Sequence, residues 1–462
     1  MVIRMNQSGQ SSPIKHCLYV TLGCAKNEVD TDRMRALLER AGIQEADDVQ
    51  DADVAIVNTC SFLIAATQES IEATLELAEA AREGLRSLPI VMCGCVPSRY
   101  GSEIEKELPE VSAFVPADRE DEIVSVVESV LGCASDSNVA DSSSDVLRTV
   151  EGASAYVKIS DGCDRFCTFC AIPYIRGRYF SRPAEEIRAE VEALMEGGVR
   201  EIVLIGQDTG IWGSDFEAAE GETLDLAWLL EDLAKVVRPY GGWIRVLYLQ
   251  PEGMTERLIR VLREVDEVLP YIDIPMQHCN ERILHLMGRK GNARELRGLF
   301  ARLREEVPGM VLRTTGLVGF PTETEEEFEE LYDFIDEVGF DYTSVFAYSQ
   351  EEGTAAARIK GQIAEDVKVD RAQRLLDLVE AQGFGATASH VGETTRVIID
   401  GIEEGDAGVE FIGHAWFQAP DSDGAIHIES GEAAVGDVVT CRLVDAFCYE
   451  LVGEIIEGTE GQ

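Results

Sequence analysis

Residues 161–170, Asp161-Gly162-Cys163-Asp164-Arg165-Phe166-Cys167-Thr168-Phe169-Cys170, place three cysteines in a C-x3-C-x2-C spacing. Thiols this close in sequence can serve one metal group only if the chain wraps a tight loop around it. Iron–sulfur cubanes usually take four thiolates. No fourth cysteine lies nearby, so the spacing leaves one iron open and predicts chemistry at the cluster rather than electron storage. Zinc fits less well, because it normally takes four ligands from paired motifs and no second cysteine pair or paired histidines follow.

The loop comes directly after an apolar run at 156–159, the first of six; the others lie at 201–205, 243–249, 271–275, 311–318 and 342–347, with helical patterns between most of them. About six strand–helix units predict an open, partial TIM-like barrel over 151–383 whose working face lies at the carboxyl ends of the strands. The three cysteines stand at such an end. Upstream, runs at 17–20, 54–57 and 90–92 alternate with helical segments at 31–41 and 65–83, which predicts a small α/β domain with a parallel sheet over 16–133. Residues 134–150 are serine-rich and poor in apolar side chains and read as a linker. Over 385–460, short runs at 395–399, 409–413, 426–429 and 438–443 broken by Gly and Asp predict a small antiparallel barrel. The fold class is α/β, with a C-terminal β-barrel.

A parallel sheet gathers the loops at its carboxyl strand ends. In the first domain a cysteine follows each of the three predicted strands: Cys24 in Leu22-Gly23-Cys24-Ala25-Lys26-Asn27, Cys60 in Asn58-Thr59-Cys60, and Cys95 in Cys93-Gly94-Cys95. Cysteines far apart in sequence can thus meet and hold a second cluster. A single free cysteine is commonly a small buried hydrophobe; recurrence after three successive strands argues against that here. Cys93 competes with Cys95 for the third place, and Gly94 permits the close backbone turn before Cys95. Cys17, Cys133, Cys279, Cys441 and Cys448 read as non-ligands.

Across 462 residues, 86 Asp and Glu stand against 40 Lys and Arg, a formal charge of −46. Such a surface repels phosphates at long range and favours basic partners, although a generally acidic, salt-adapted proteome would produce the same balance. No apolar stretch reaches the roughly 18–20 residues of a membrane span, and the polar start through His16 has no signal-like core. A cytoplasmic location is expected, where twelve cysteines suggest metal or redox work rather than disulfides.

Together these motifs resemble the methylthiotransferases, radical S-adenosylmethionine (SAM) enzymes with an N-terminal cluster domain, a radical domain and a C-terminal TRAM barrel. The likeness runs from Cys17 to about Glu457. It implies that Cys163, Cys167 and Cys170 hold a [4Fe–4S] cluster whose open iron binds SAM, with Phe169 beside the adenine, and that Cys24, Cys60 and Cys95 hold an auxiliary [4Fe–4S] cluster. One SAM would methylate a sulfur carried on the auxiliary cluster, and a second would yield the 5'-deoxyadenosyl radical that removes a substrate hydrogen. The carbon radical must then receive sulfur, so both clusters are expected to face one substrate, with the first domain against the open mouth of the barrel. A reductant such as flavodoxin or ferredoxin and a sulfur donor are implied partners.

The family has two substrate classes, a tRNA adenosine beside the anticodon and the β-carbon of an aspartate in ribosomal protein S twelve of the small subunit. Leu22 to Asn27 with Val29-Asp30 is similar to the ribosomal branch's LGCPKN-VD signature, as are Gln207-Asp208-Thr209 and Tyr271-Ile272-Asp273-Ile274-Pro275-Met276-Gln277-His278. Ala25 departs from the usual Pro, Tyr174 in Ile172-Pro173-Tyr174-Ile175-Arg176-Gly177 is more like the tRNA branch, and Cys448 falls in an acidic-aromatic tail motif. From 385 to the end, sixteen acidic residues face two basic ones, which leaves −14; a barrel that grips tRNA needs the opposite sign. The resemblance therefore favours the aspartate methylthiotransferases, with nucleic acid disfavoured as direct substrate. The alternatives are a tRNA methylthiotransferase and, in another class, a non-catalytic iron–sulfur scaffold.

Gly206, Gln207 and Asp208 end the second barrel strand and Gln277 ends another, which suits contact with SAM or substrate as well as a structural role. Arg313 precedes Gly319-Phe320-Pro321-Thr322-Glu323-Thr324, a turn similar to the family's GFPGET with Thr322 in place of Gly. It can pair with a SAM or substrate carboxylate or form a structural salt bridge. His278 alone among the histidines falls at a predicted strand end.

Overall fold

Strands covered on both faces must be apolar along their length, and the runs named above meet that demand. The computed structural model of the chain describes residues 15–84, 88–132, 148–217, 223–405 and 408–457. Cys133 and most of the expected linker at 134–150 lie outside the described residues. The chain divides into two compact units, Met1–Arg148 and Thr149–Gln462.

In the first unit β1 (Lys15–Thr21), β2 (Ile43–Glu45), β3 (Val54–Thr59), β4 (Ile90–Gly94) and β5 (Ala113–Pro116) form one parallel sheet in the order β2-β1-β3-β4-β5. β3 and β4 are buried at every residue. The two edge strands, absent from the sequence reading, are three and four residues long, too short for their alternation to register. Helix Ala25–Arg40 starts six residues before the expected 31, because Cys24 supplies an extended residue at its N-terminus and Lys26, Asn27 and Asp30 are polar yet buried. Helix Ile64–Glu83 follows β3.

The second unit opens with β6 (Ser154–Lys158). A short antiparallel pair, β7 (Ser160–Asp161) with β8 (Phe180–Ser181), closes off the cysteine loop between them. Then come β9 (Glu201–Ile205), β10 (Trp243–Val246), β11 (Val268–Gln277), β12 (Val311–Val318) and β13 (Tyr342–Ala347). With β6 they form a six-stranded parallel sheet in the order β13-β12-β11-β10-β9-β6, the expected open barrel. β10 stops at Val246 rather than 249 because Tyr248 adopts a left-handed backbone, φ 64°. One continuous core joins the sheet to its covering helices, from Val157 and Leu204 through Phe300 to Phe334 and Leu375.

Helix Glu365–Ser389 runs through residues 383–385 without a break and leads into β14 (Thr394–Gly405), β15 (Gly408–Ala415), β16 (Ile426–Ile428), β17 (Val438–Ala446) and β18 (Leu451–Glu457). These strands close a barrel in the order β14-β15-β16-β18-β17. It is antiparallel except for the β16–β18 pair, which is parallel; β18 was not among the expected strands. No helix among the described residues is long and apolar enough to cross a membrane.

The segment joining β15 to β16 enters the amino-terminal end of the six-stranded sheet. Glu201, the first residue of β9, accepts from Arg245 Nε at 2.7 Å and from His414 Nε2, while His414 Nδ1 lies 2.6 Å from Asp400. Arg245 also donates to the Trp416 carbonyl at 2.9 Å and covers the Tyr271 ring. Arg313 meets Asp423 at 3.0 Å and Asp273 at 3.2 Å, and the Tyr271 hydroxyl donates to Asp423. Glu201, Arg245, Tyr271 and Asp273 are all 0% exposed. Buried charges persist only when paired, so this layer binds barrel and sheet into one body.

Burial alone would lower the His414 pKa, but Glu201 and Asp400 raise it to about 9; burial alone would raise that of Glu201, but Arg245 and His414 hold it at about 2. The His414 contribution to stability is fully present below the ordinary 6.5 and lost as pH climbs through about 9. That of Glu201 is present above the ordinary 4.5 and lost as pH falls toward about 2. The melting temperature of the wild type is expected to exceed that of His414→Gln most between about pH 5 and 7, with the gap closing by about pH 10; a gap that survives at high pH would show that the imidazolium charge is not what holds the layer. Arg245→Ala leaves Glu201 partly uncompensated and should cost about 3–5 kcal/mol in denaturant unfolding.

Candidate active site

The cysteine loop springs from Asp161, whose carboxylate accepts four hydrogen bonds: Lys158 Nζ at 2.9 Å and Arg176 Nη1 at 3.0 Å on Oδ2, Gly162 N at 2.8 Å and Gln207 Nε2 at 3.1 Å on Oδ1. Burial alone would raise its pKa, but Lys158 and Arg176 hold it well below the usual carboxylate range. Gly162 follows with φ 70°, and a Cβ there would fall 2.1 Å from the Arg178 carbonyl oxygen, so no other residue fits this turn. The Cys163 N–H donates back to the Gly177 carbonyl at 3.2 Å, while Thr168 bonds through N–H to Met287 O and through its hydroxyl to Leu286 O. Thus pinned, the loop carries Cys163, Cys167 and Cys170, with the Cys170 N–H donating to the Cys167 carbonyl at 3.0 Å.

Burial first, then the neighbouring Cys167 and Cys163 thiols, push Cys170 up to about 12, and burial likewise raises Cys163. Thiols so close together and so reluctant to ionise alone are a donor set that an iron centre would convert to thiolates. Among the described residues no three His, Cys, Asp or Glu side chains surround a single-ion position. A cubane takes each thiolate at a different iron, so its ligands stand farther apart than those of one ion. Beside Cys167 opens a cavity of about 200 Å³ lined by Asp164, Arg165, Gln250, Glu252, Arg289 and Lys290 among others. The residues present fit an iron–sulfur cluster with an open side.

Around this mouth the other strand ends converge. Gly206 is buried against Ser160. Asp208, 0% exposed, accepts from Arg165 Nε at 2.6 Å through Oδ2. Its Oδ1 and Gln207 Oε1 are buried without a hydrogen-bond partner among the described residues. Burial raises the Asp208 pKa in spite of Arg165. Gln277 sits at the bulged end of β11 with φ 70°. Phe166, Tyr248, Gln277 and Thr322 are the non-glycine residues with positive φ in the described part of the parallel-sheet domain, and all four lie at carboxyl-end loops, where backbone strain typically marks a functional mouth.

Phe169 packs at the edge of a cluster that includes Met287, Phe320 and Tyr348. Arg313 makes no direct contact with the loop among the described residues: its guanidinium is committed to Asp273, Asp423 and the Ser344 hydroxyl. His278 is 0% exposed; its Nδ1 accepts from the backbone N–H groups of Cys279 and Asn280, so Nε2 carries the proton toward Glu323, 3.2 Å away. Glu323 also accepts from Gly319 N and Arg371, which makes His278 a brace for the turn. Thr322, where the family turn has Gly, stands at φ 71° and is clamped by Arg282 on its hydroxyl and carbonyl. Sequence reasoning passed over Asp161, Arg165 and Arg289; Asp161 and Arg165 stood inside the quoted motif, but Arg176 and Gln207, which complete the contacts of Asp161, lie 15 and 46 residues from it, and Asp208 lies 43 from Arg165.

In the first unit Cys24 caps helix Ala25–Arg40, Cys60 follows β3, and Cys95 opens helix Cys95–Tyr100. A Cβ placed on Gly23 would lie 2.6 Å from Cys60 Cβ, so the first two loops touch. Asn27 bridges all three: Nδ2 donates to the carbonyls of Leu22 (2.7 Å) and Thr59 (3.0 Å), and Oδ1 lies 3.9 Å from Cys95 Sγ. The Ser70 hydroxyl exchanges hydrogen bonds with the Cys60 backbone. Cys93 instead lies in the apolar core with Cys17, Met34 and Val127, where burial raises its pKa strongly.

Three family models match in order along the chain: "Uncharacterized protein family UPF0004" over residues 16–116, the radical SAM superfamily over 157–335 and the TRAM domain over 391–456. The chain is 39% identical over 445 residues to the ribosomal protein uS12 methylthiotransferase RimO of Trichlorobacter lovleyi, covering 95% of this chain and 97% of that one. It is 40% identical over 444 residues to the RimO of Geobacter sulfurreducens, covering 95% and 98%. Among solved structures it is similar in fold to the radical SAM methyltransferase TsrM from Kitasatospora setae, with a TM-score of 0.53 at 13% identity and 72% of each chain covered. With relatives of this identity along nearly its full length and a pinned three-cysteine loop at the mouth of an open parallel barrel, the chain belongs to the RimO family of radical SAM methylthiotransferases.

Proposed function

We propose that the enzyme carries two [4Fe–4S] clusters and places a methylthio group on the β-carbon of an aspartate in ribosomal protein uS12, using one SAM as methyl donor and a second as radical source. The observation that carries this reading is the pair of cysteine trios, one on the loop between β7 and β8 and one gathered around Asn27 at three strand ends. The relatives' names support the substrate. So does the C-terminal segment, whose net −14 repels tRNA phosphates and attracts a basic ribosomal protein.

Cys163, Cys167 and Cys170 would hold the SAM-binding cluster, and Cys24, Cys60 and Cys95 the auxiliary one. When bound, the clusters supply a 5'-deoxyadenosyl radical from SAM and a point of sulfur delivery. The chain's own residues bind, orient and exclude water. Asp161 fixes the start of the loop, and Arg165 on Asp208 fixes its middle. Gln207 Oε1 and Asp208 Oδ1 offer buried acceptors to a donor-bearing group of SAM or substrate, with Gly206 packed closely against Ser160 beside them and Gln277 bordering the same mouth. Phe169 supports the adenine side from within its apolar cluster. A flavodoxin- or ferredoxin-type reductant and an external sulfur donor complete the reaction.

In a deletion strain, uS12 is expected to lack the S-methyl mass while 2-methylthio nucleosides in tRNA stay unchanged; mass spectrometry that finds the reverse would transfer the assignment to tRNA. Anaerobic reconstitution of the wild type should yield about eight irons, falling to about four in the Cys163→Ala, Cys167→Ala, Cys170→Ala variant. About four irons falling to none would instead remove the auxiliary cluster from Cys24, Cys60 and Cys95.

A further inference from the structure

Asp273 lies inside the barrel at 0% exposure and belongs to two groups of contacts. Its Oδ1 receives Arg313 Nη1 at 3.2 Å, and Arg313 Nε reaches Asp423 Oδ1 at 3.0 Å, on the segment between β15 and β16. Its Oδ2 accepts the backbone N–H of Tyr248 at 3.1 Å. Tyr248 is held at φ 64°, a conformation that L side chains adopt at a cost and keep only where the surroundings over-determine it. The Tyr248 carbonyl in turn accepts from Thr209 N at 3.1 Å and from its hydroxyl at 3.3 Å. The next residue back, Asp208, carries the 2.6 Å ion pair to Arg165, between Cys163 and Cys167. Gly210 and Gly253 then press the β9 and β10 loops together, with no space for a Cβ on either. An unbroken polar chain thus runs from the C-terminal barrel to the cysteine loop.

We propose that Asp273 is a positioning residue: its carboxylate pins the left-handed Tyr248 peptide, which through Thr209 and Asp208 keeps Arg165 and the cysteine loop in place. Asp423 and Arg313 orient that carboxylate, so the C-terminal barrel helps to set the catalytic mouth from the opposite end of the sheet. That this mouth is catalytic rests on the function proposed above; the chain of contacts does not. The competing role for Asp273 is simply to neutralise the buried Arg313.

Hydrogen exchange followed by mass spectrometry on the full-length chain separates the two, because it locates loosening without requiring a loaded cluster. Asp273→Asn is expected to speed exchange about tenfold or more at 206–211, 247–253 and 161–170, and Asp423→Asn to do so at the same segments to a smaller degree. The two together should be no worse than Asp273→Asn alone, since both act through one chain. Glu201→Gln, in the same buried layer but off the chain, should lower the melting temperature and leave those three segments unchanged. Tyr248→Gly relieves the strain and should restore protection in Asp273→Asn, which a charge-neutralising role would not allow. Should Asp273→Asn fail to fold, Asp423→Asn with and without Tyr248→Gly makes the same comparison. Loosening confined to β11, β12 and the C-terminal barrel, or equal loosening of the mouth by Glu201→Gln, would overturn the proposal, whereas methylthiolation assays on uS12 bear only on the function it rests on.

Discussion

The mouth of this enzyme is organised around one buried carboxylate. Asp161 takes four donors from β6, the cysteine loop, Arg176 beyond it and the end of β9. Two of those donors are cations with little exposure of their own, so removing the carboxylate would strand charge in the interior, a far larger cost than losing an exposed ion pair. Geometry follows from that commitment: Gly162, with φ 70°, turns where Asp161 accepts its N–H, and the loop that carries the three thiols starts from that turn. The path of the cysteine loop is decided two residues before Cys163.

How much could be read from the residues alone depended on distance along the chain. The three-cysteine loop is local, so its place after the first barrel strand could be read from the sequence. The second set was legible because a repeating strand–helix pattern says where its loops must gather, even across more than thirty residues. Arg313 was not: its partners Asp273 and Asp423 lie 40 and 110 residues away, and nothing in composition marks them as neighbours. His278 was similarly ambiguous, since a strand end can face a pocket or a brace, and only the backbone donors on Nδ1 decide between them. The early stop of β10 reflects a tertiary constraint on Tyr248 that overrides strand-forming neighbours. The edge strands β2 and β5 were simply too short.

The acidity of the chain has two populations with different physics. Inside, carboxylates such as Glu201 and Asp273 are matched by Arg245 and Arg313, and they specify how the C-terminal barrel seats on the sheet. Outside, ion pairs such as Arg302 with Glu256 and Arg374 with Glu325 occupy many of the few cations available, and the surplus carboxylates remain unmatched. Screening by salt reaches the second population and hardly touches the first. The fold is accordingly expected to tolerate ionic strength that would weaken any contact made by its surface.

Cys93 and Cys95 are two residues apart, and in an uninterrupted strand they would point the same way. Gly94 prevents this with φ 90°, at a place where a Cβ would fall 2.3 Å from Asn58 Oδ1. One thiol is therefore sealed in an apolar core while its near neighbour turns toward Asn27. In effect a single missing methyl group sorts two chemically identical atoms into different surroundings: one packed among apolar side chains, the other beside the Asn27 amide at the strand end. For the auxiliary cluster proposed above, that sorting would give incoming iron one partner at this strand end instead of two.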